Sequence, residues 1–155
     1  MNVMKPIFIS WFIRYTYANI EGRGIHACMK DVANVLKKHR PETKYCLKLD
    51  IKKYYPNINH DILKQILFRK IKDIRLLNVL YEIIDSFSNN SSDKYGEGVT
   101  GLPLGNYTSG YFANIYLMYF DRWCKQVLKC RYYFRYADDI VILSDSKEFL
   151  HNTFF

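Results

Sequence analysis

Apolar residues recur along this chain with two different periods, and the switches between the two mark out its elements. Ile25, Cys28, Met29, Val32 and Val35-Leu36 fall at helical spacing and predict a helix over about 25–38. Gly22-Arg23-Gly24 makes a turn ahead of it, and Arg40-Pro41-Glu42-Thr43 is a polar break behind it. The period then drops to two. Tyr45, Leu47, Leu49 and Ile51 share one face while Cys46, Lys48 and Asp50 share the other, which predicts a strand. Pro56-Asn57 turns the chain, and Asn59 or Asp61 is placed to cap a helix over about 60–70, with Ile62, Leu63, Ile66 and Leu67 inward. A second helix, about 74–87, would bury Leu77, Leu80 and Ile84, and the polar run 88–96 reads as a flexible loop. Tyr111, Phe112, Ile115, Tyr119, Trp123 and Val127 give a longer helix, about 106–128, a wide apolar stripe. Two last apolar runs, Tyr132 to Tyr136 and Ile140 to Leu143, flank Ala137-Asp138-Asp139 and predict a β-hairpin with carboxylates at its tip. The order of elements reads as α+β with an antiparallel sheet.

Composition changes this picture little. With 155 residues, 49% of them apolar, the chain suffices for one domain around one core. A formal net charge of +8 favours polyanionic partners, although lysines also populate ordinary solvated faces. Cys28, Cys46, Cys124 and Cys130 form no CxxC pair, and no His stands at zinc-ligand spacing, so neither a disulfide framework nor a zinc site is expected and a reduced, cytoplasmic setting fits. The apolar run from Pro6 to Ile13 is too short to span a bilayer and is ended by Arg14. It reads as a buried strand or a turn of helix, and no membrane partner is expected.

Three acids stand out because each interrupts an apolar strand: Asp50, within Leu47 to Ile51, and Asp138 and Asp139, between Tyr136 and Ile140. Gathering carboxylates beside a core costs several kcal/mol in desolvation and repulsion unless a cation compensates. If the hairpin pairs beside the Asp50 strand, the acids converge at one end of the sheet. Mg²⁺ suits such oxygen ligands, and two such ions about 3.5–4 Å apart activate a hydroxyl nucleophile and stabilise a leaving pyrophosphate. The plainer alternative is that Asp138-Asp139 only makes a turn and Asp50 is only half-exposed.

The wider context favours the first reading. Tyr136-Ala137-Asp138-Asp139, preceded by Arg135, resembles the catalytic box of reverse transcriptases. Residues 49–58, from Leu49-Asp50-Ile51 through Tyr54-Tyr55-Pro56, resemble that family's first catalytic motif. Gly101-Leu102-Pro103-Leu104-Gly105, followed by Asn106 to Ser109, resembles its substrate-binding motif, and residues 17–26 resemble the fingers segment of bacterial retroelement members. The resemblance covers nearly the whole chain and implies a right-hand polymerase: a palm with an antiparallel sheet and packed helices, and partial fingers. The palm would be about 44–60 and 101–155, and the fingers about 1–43 and 61–100. It implies an RNA-directed DNA polymerase core in which Asp50, Asp138 and Asp139 are catalytic. Asp50 and Asp138 would be the main ligands of two Mg²⁺ ions, with Asp139 beside them, the Ile51 carbonyl completing a site and Mn²⁺ as a substitute. Tyr55 would be the steric gate against a ribose 2′-hydroxyl. Pro103, Leu104 and Gly105 would shape the floor under the incoming nucleotide, and Arg23 would grip its triphosphate. The implied partners are an RNA template with a DNA primer and deoxynucleoside triphosphates. Lys48, Lys52, Lys53, Lys64, Arg69, Lys70 and Lys72 are candidates for tracking the duplex backbone.

Two departures bear on this. Many family members carry Gln where this chain has Leu104. An aliphatic residue there is typical of diversity-generating retroelement enzymes and some related bacterial lineages and implies lowered fidelity, yet Gly110 stands where those enzymes usually carry Gln. The lineage is therefore open among diversity-generating, retron, group II intron-like and phage-defence types. The second departure is length: the chain ends soon after the hairpin, so the thumb is expected to be absent and an accessory or second chain to supply what is missing. Two competing readings follow, a truncated remnant that folds and binds nucleic acid without catalysis, and an RNA-dependent RNA polymerase, against which Tyr55 argues.

Overall fold

The structure, a computed structural model, describes residues 3–87, 99–103 and 105–154. The predicted loop over 88–96 and Leu104 lie outside the described residues. The chain divides into two compact units: residues 52–116, and a unit assembled from 2–51 together with 117–155.

The second of these holds the sheet. Its strands are β1 (Tyr45–Leu49), β2 (Tyr132–Tyr136) and β3 (Asp139–Ser144), in the order β1-β3-β2, with both pairs antiparallel. The alternation read from the sequence decides which side chains share a face. Leu47, Leu49 and Ile51 lie with Tyr133, Ile140 and Ile142 in one apolar cluster, joined there by Cys124 and Leu150. Cys124 belongs to the second half of helix α5 (Tyr107–Gln126) and Leu150 to helix α6 (Lys147–Phe154), which the apolar spacing had not announced. On the opposite face Tyr132, Phe134 and Leu143 pack with Tyr17 and with Cys28 of helix α2 (Ile25–Lys38). The turn ahead of α2 contains Gly22 at φ 76°, a conformation glycine adopts without a Cβ penalty. Lys37 and Lys38 in its last turn suit the negative end of the helix dipole.

Helix α1 (Lys5–Trp11) is the N-terminal apolar run. It is a helix rather than a strand, and Pro6 sits in its first turn, where a missing N–H costs nothing. No helix among the described residues is long and apolar enough to cross a membrane.

The other unit is helical. Helix α3 (His60–Lys70) is capped by Asn59, whose Oδ1 accepts from the Ile62 N–H at 3.0 Å, so of the two candidate caps Asn59 serves. Helix α4 (Ile74–Asp85) is capped by Asp73, which accepts from the N–H groups of Arg75 and Leu76. Leu63, Ile66 and Leu67 are buried, as are Leu77, Leu80 and Ile84. Ile62, expected inward, is 48% exposed because the buried stripe of α3 centres on His60, Leu63 and Leu67, a step round the helix.

Helix α5 gives the sharpest departure from the apolar pattern. Tyr111, Phe112 and Ile115 are buried as expected, but Tyr119 and Trp123 are exposed, as is Val127 just beyond the helix. Met118, Asp121 and Cys124 are buried in their place. An aspartate with no exposed surface marks the buried face of this half of the helix, and its partners explain why.

Candidate functional site

β2 and β3 are joined by a two-residue turn, Ala137-Asp138, with Tyr136 paired to Asp139 across its base. Tight hairpin turns of this length favour positive φ and hence Gly, Asn or Asp. Here Ala137 takes φ 53°, an uncommon state for a residue with a Cβ. β1 pairs with β3 through Leu49↔Ile140, so Asp50, the next residue, comes level with Asp139. Strand alternation continues Lys48 and Asp50 on the face that carries Asp139 and Val141. The antiparallel pairing thus brings the three acids singled out in the sequence to one end of one sheet, on chain segments almost ninety residues apart. Asp50 is exposed and Asp138 and Asp139 are partly exposed. Lys48 Nζ lies 3.2 Å from Asp139 Oδ1, the one cation that pairs with this group of acids among the ion pairs of the described residues. Beside them, α2 and the sheet enclose a groove of about 370 Å³ lined by Ile25, Met29, Leu36, Tyr136 and Val141. Ile25, Met29 and Leu36 belong to the apolar spacing that predicted α2, yet they are exposed, because they line this groove.

Beneath the turn lies the network that the sequence reading missed. Arg135 and Asp121 have no exposed side-chain surface. Arg135 Nε donates to Asp121 Oδ1 and Nη2 donates to Oδ2, both at 2.7 Å, a bidentate pair. Asp121 also accepts from the Tyr133 hydroxyl at 2.6 Å and from Thr16 Oγ1 at 3.1 Å. Burial and the neighbouring Asp121 charge push the Tyr133 hydroxyl far above its ordinary value. The remaining arm, Arg135 Nη1, donates to the carbonyl of Ala137 at 2.8 Å. Around the pair, the backbone of Tyr15 to Tyr17 docks along β2: the Arg135 N–H donates to the Tyr15 carbonyl and the Tyr17 N–H to the Arg135 carbonyl. One sequence signal could have revealed the network: Asp121 stands at core spacing, three residues from both Met118 and Cys124, where a charge requires a partner.

The helical unit brings two further motifs together. Tyr54 is buried, and its hydroxyl donates to the Ala113 carbonyl at 2.6 Å. Tyr55 follows in a short 3₁₀ turn, half-buried, with its ring edge-on to Tyr54. Its carbonyl accepts from the Leu102 N–H at 3.0 Å, and the Ile58 carbonyl accepts from the Gly101 N–H at 2.9 Å. Tyr55 and the segment leading to Pro103 are thereby tied side by side. His60, buried, secures the same segment: Nε2 lies 2.7 Å from the Gly101 carbonyl and Nδ1 lies 3.2 Å from Asp85 Oδ1, so each ring nitrogen faces an oxygen that accepts. Burial pushes the Asp85 carboxyl upward, but hydrogen bonds from Lys64 and His60 outweigh it and hold the group below its ordinary value. Gly101 and Gly105 take φ 109° and 93°. A Cβ on Gly105 would meet nothing within 4 Å of this chain, so it is the backbone conformation that calls for glycine there.

Of the other expected site residues, Ile51 turns its side chain into the cluster with Leu47 and Leu49. Pro103 is partly exposed. Arg23 Nη1 donates to the Ile13 carbonyl at 2.9 Å, which pins the guanidinium to its own N-terminal segment. Lys52, Lys53, Arg69 and Lys72 are exposed, whereas Lys64 is engaged by Asp85.

Among the described residues no three His, Cys, Asp or Glu side chains converge into a ready-made metal cage. A hard cation such as Mg²⁺ does not require one, since one or two carboxylates plus substrate phosphates usually hold it. Asp50, Asp138 and Asp139, accessible and offering only oxygen donors, fit that mode.

The chain is similar to several known proteins. The family model described as "Reverse transcriptase (RNA-dependent DNA polymerase)" matches residues 2–154. A curated relative in Schizosaccharomyces pombe, "Uncharacterized 91 kDa protein in cob intron", is 25% identical over 125 residues, covering 81% of this chain and 15% of that protein. "Putative COX1/OXI3 intron 2 protein" of Saccharomyces cerevisiae is 28% identical over 82 residues, covering 51% of this chain and 10% of that protein. Among solved structures, apo telomerase from Candida tropicalis truncated from its C-terminal domain superposes with a TM-score of 0.66 at 16% identity, covering 98% of this chain and 34% of that one. Telomerase from the same organism in complex with a TWJ fragment of telomeric RNA gives a TM-score of 0.66 at 17% identity, over 98% of this chain and 29% of that one. At such identities the likeness concerns the fold. The chain spans about a third or less of each of these proteins.

Proposed function

The chain belongs to the reverse transcriptase (RNA-dependent DNA polymerase) family, and from that premise we propose that it carries the nucleotidyl-transfer core of an RNA-directed DNA polymerase. The observation that supports this most is the register that sets Asp50 level with Asp139, one residue from Asp138 in the adjoining turn. In this reading Asp50 and Asp138 supply the main carboxylate ligands, Asp139 stands beside them, and the Ile51 carbonyl is a further donor. Two bound Mg²⁺ ions, or Mn²⁺ in their stead, would supply Lewis-acid activation of a primer 3′-hydroxyl and charge stabilisation of the departing pyrophosphate. The chain's own residues do the rest. Tyr55, braced by Tyr54 and by the Leu102 N–H, blocks a ribose 2′-hydroxyl and so selects deoxynucleotides. Pro103, Leu104 and Gly105 floor the nucleotide site, and Arg23 meets the triphosphate by exchanging its hydrogen bond to the Ile13 carbonyl for one to phosphate. Lys48 neutralises Asp139 until a cation takes its place. The partners are an RNA template with its DNA primer, held through exposed lysines, and an accessory or second chain that steadies the duplex. We assign about 44–60 and 101–155 to the palm and about 1–43 and 61–100 to the fingers. Among retroelement lineages the intron proteins it resembles favour the group II intron-like type, while Leu104 points to lowered fidelity.

The deciding experiment is primer extension on an RNA template with deoxynucleotides and Mg²⁺. Extension by the wild type and none by Asp138→Asn is expected. Synthesis that survives Asp138→Asn rules the site out, and salt-sensitive binding without any synthesis would favour a catalytically silent remnant. In the same assay Tyr55→Ala raises ribonucleotide incorporation.

A further inference from the structure

We propose that Arg135 is a positioning residue for the acids at the hairpin tip: anchored on Asp121, it grips the carbonyl of Ala137 and so sets the direction in which the turn presents Asp138. This rests on the reading of Asp138 as a metal-binding acid. The carbonyl it grips belongs to the peptide that enters Asp138, and fixing that peptide plane fixes how the next side chain leaves the turn.

Three observations carry the inference. Ala137 sits at positive φ, a state alanine disfavours and keeps only where its surroundings over-determine it. Arg135 Nη1 is the hydrogen bond that restrains its carbonyl, at 2.8 Å. The guanidinium cannot yield, because Nε and Nη2 are locked on Asp121 and the whole side chain is enclosed. The planar fork matters: one rigid group reaches a carboxylate and a carbonyl at once. A lysine ammonium keeps the charge beside Asp121 but has no such fixed geometry. Asp121 is held in turn by Thr16 and Tyr133, so the chain of contacts runs from the buried core to the partly buried turn.

The test compares the wild type with Arg135→Lys and with a control, Thr16→Val, which removes one hydrogen bond from Asp121 and leaves the Ala137 carbonyl alone. Mn²⁺ alone is titrated by electron paramagnetic resonance, amide hydrogen exchange is followed at Asp138 and Asp139, and thermal stability is recorded for each. Arg135→Lys should weaken Mn²⁺ binding about tenfold or more, the range seen when outer-shell partners of metal ligands are lost, and should speed exchange at both amides. Thr16→Val should lower stability and leave Mn²⁺ affinity unmoved. Wild-type affinity and exchange in folded Arg135→Lys overturn the proposal while leaving the polymerase reading intact. Wild-type Mn²⁺ binding that ignores Asp138→Asn counts against that reading itself, and the inference falls with it. If Arg135→Lys does not fold, the Arg135 Nε–H resonance of the wild type is followed by nuclear magnetic resonance as Mg²⁺ is added. A shift that vanishes in Asp138→Asn supports the coupling, and a resonance that stays still while Mg²⁺ binds overturns it.

Discussion

The Ala137-Asp138 turn and the Gly101–Pro103 segment are both short, both expected to bear on one reaction, and held in opposite ways. The first stands on a buried, fully charged pair, Arg135 with Asp121, sealed by Thr16 and Tyr133. The second is held by backbone hydrogen bonds to Tyr55 and Ile58 and by His60, whose outer partner, Asp85, is 51% exposed in its side chain. A dry ion pair is rigid and costly to break, since removing one partner strands a charge in a medium that cannot solvate it. A hydrogen bond backed by a half-wet carboxylate is weaker and opens to solvent conditions. The lesson is that the turn that carries acids is insulated from water at its base, while the Gly101–Pro103 segment rests on contacts that solvent can reach.

That contrast can be broken most directly at Asp121. Asp121→Ala should cost about 3–5 kcal/mol in urea unfolding, the usual penalty for orphaning a buried charge. His60→Phe should cost less, about 1–3 kcal/mol, because it strands only the Gly101 carbonyl. Equal losses at the two positions would erase the distinction. Asn59→Ala removes the cap of α3, beside His60, and should cost about 1 kcal/mol in the same assay.

The smallest effects at neutral pH become the most telling at its extremes. Asp85 is depressed in the folded chain, so its contribution is complete above the ordinary aspartate value, about 3.9, and disappears as pH falls through the lower folded value. Asp85→Asn should therefore flatten the acid limb of a melting-temperature profile. Tyr133 is raised, chiefly by burial and then by Asp121, so its contribution is complete below the ordinary tyrosine value, about 10, and drains away as pH climbs beyond it. Tyr133→Phe should flatten the alkaline limb. A variant that moves the wrong limb would show that the two supports are not separate.

How much of this was legible beforehand follows from what each residue's neighbours in sequence can say. The bounds of α2 and α3 coincide with those the apolar spacing predicts, and β2 does too, because local periodicity and turn residues act within a few positions. The fate of Ile62 and Trp123 was not legible, since which side of a helix is buried depends on what packs against it. Helix α6 was missed because its apolar residues are few and follow closely on the hairpin.

For the site, the sequence by itself determined the chemistry: three carboxylates interrupting apolar strands, an aromatic pair after the first, and glycines where the backbone takes positive φ. Only the tertiary structure decided their assembly. The β1–β3 register sets Asp50 level with Asp139, the Leu102 N–H ties Pro103 to Tyr55, and Asp121 folds in under Arg135. Each of these joins residues a dozen or more positions apart, and such a pairing exists only once the loop between them has closed and the surrounding core has excluded water.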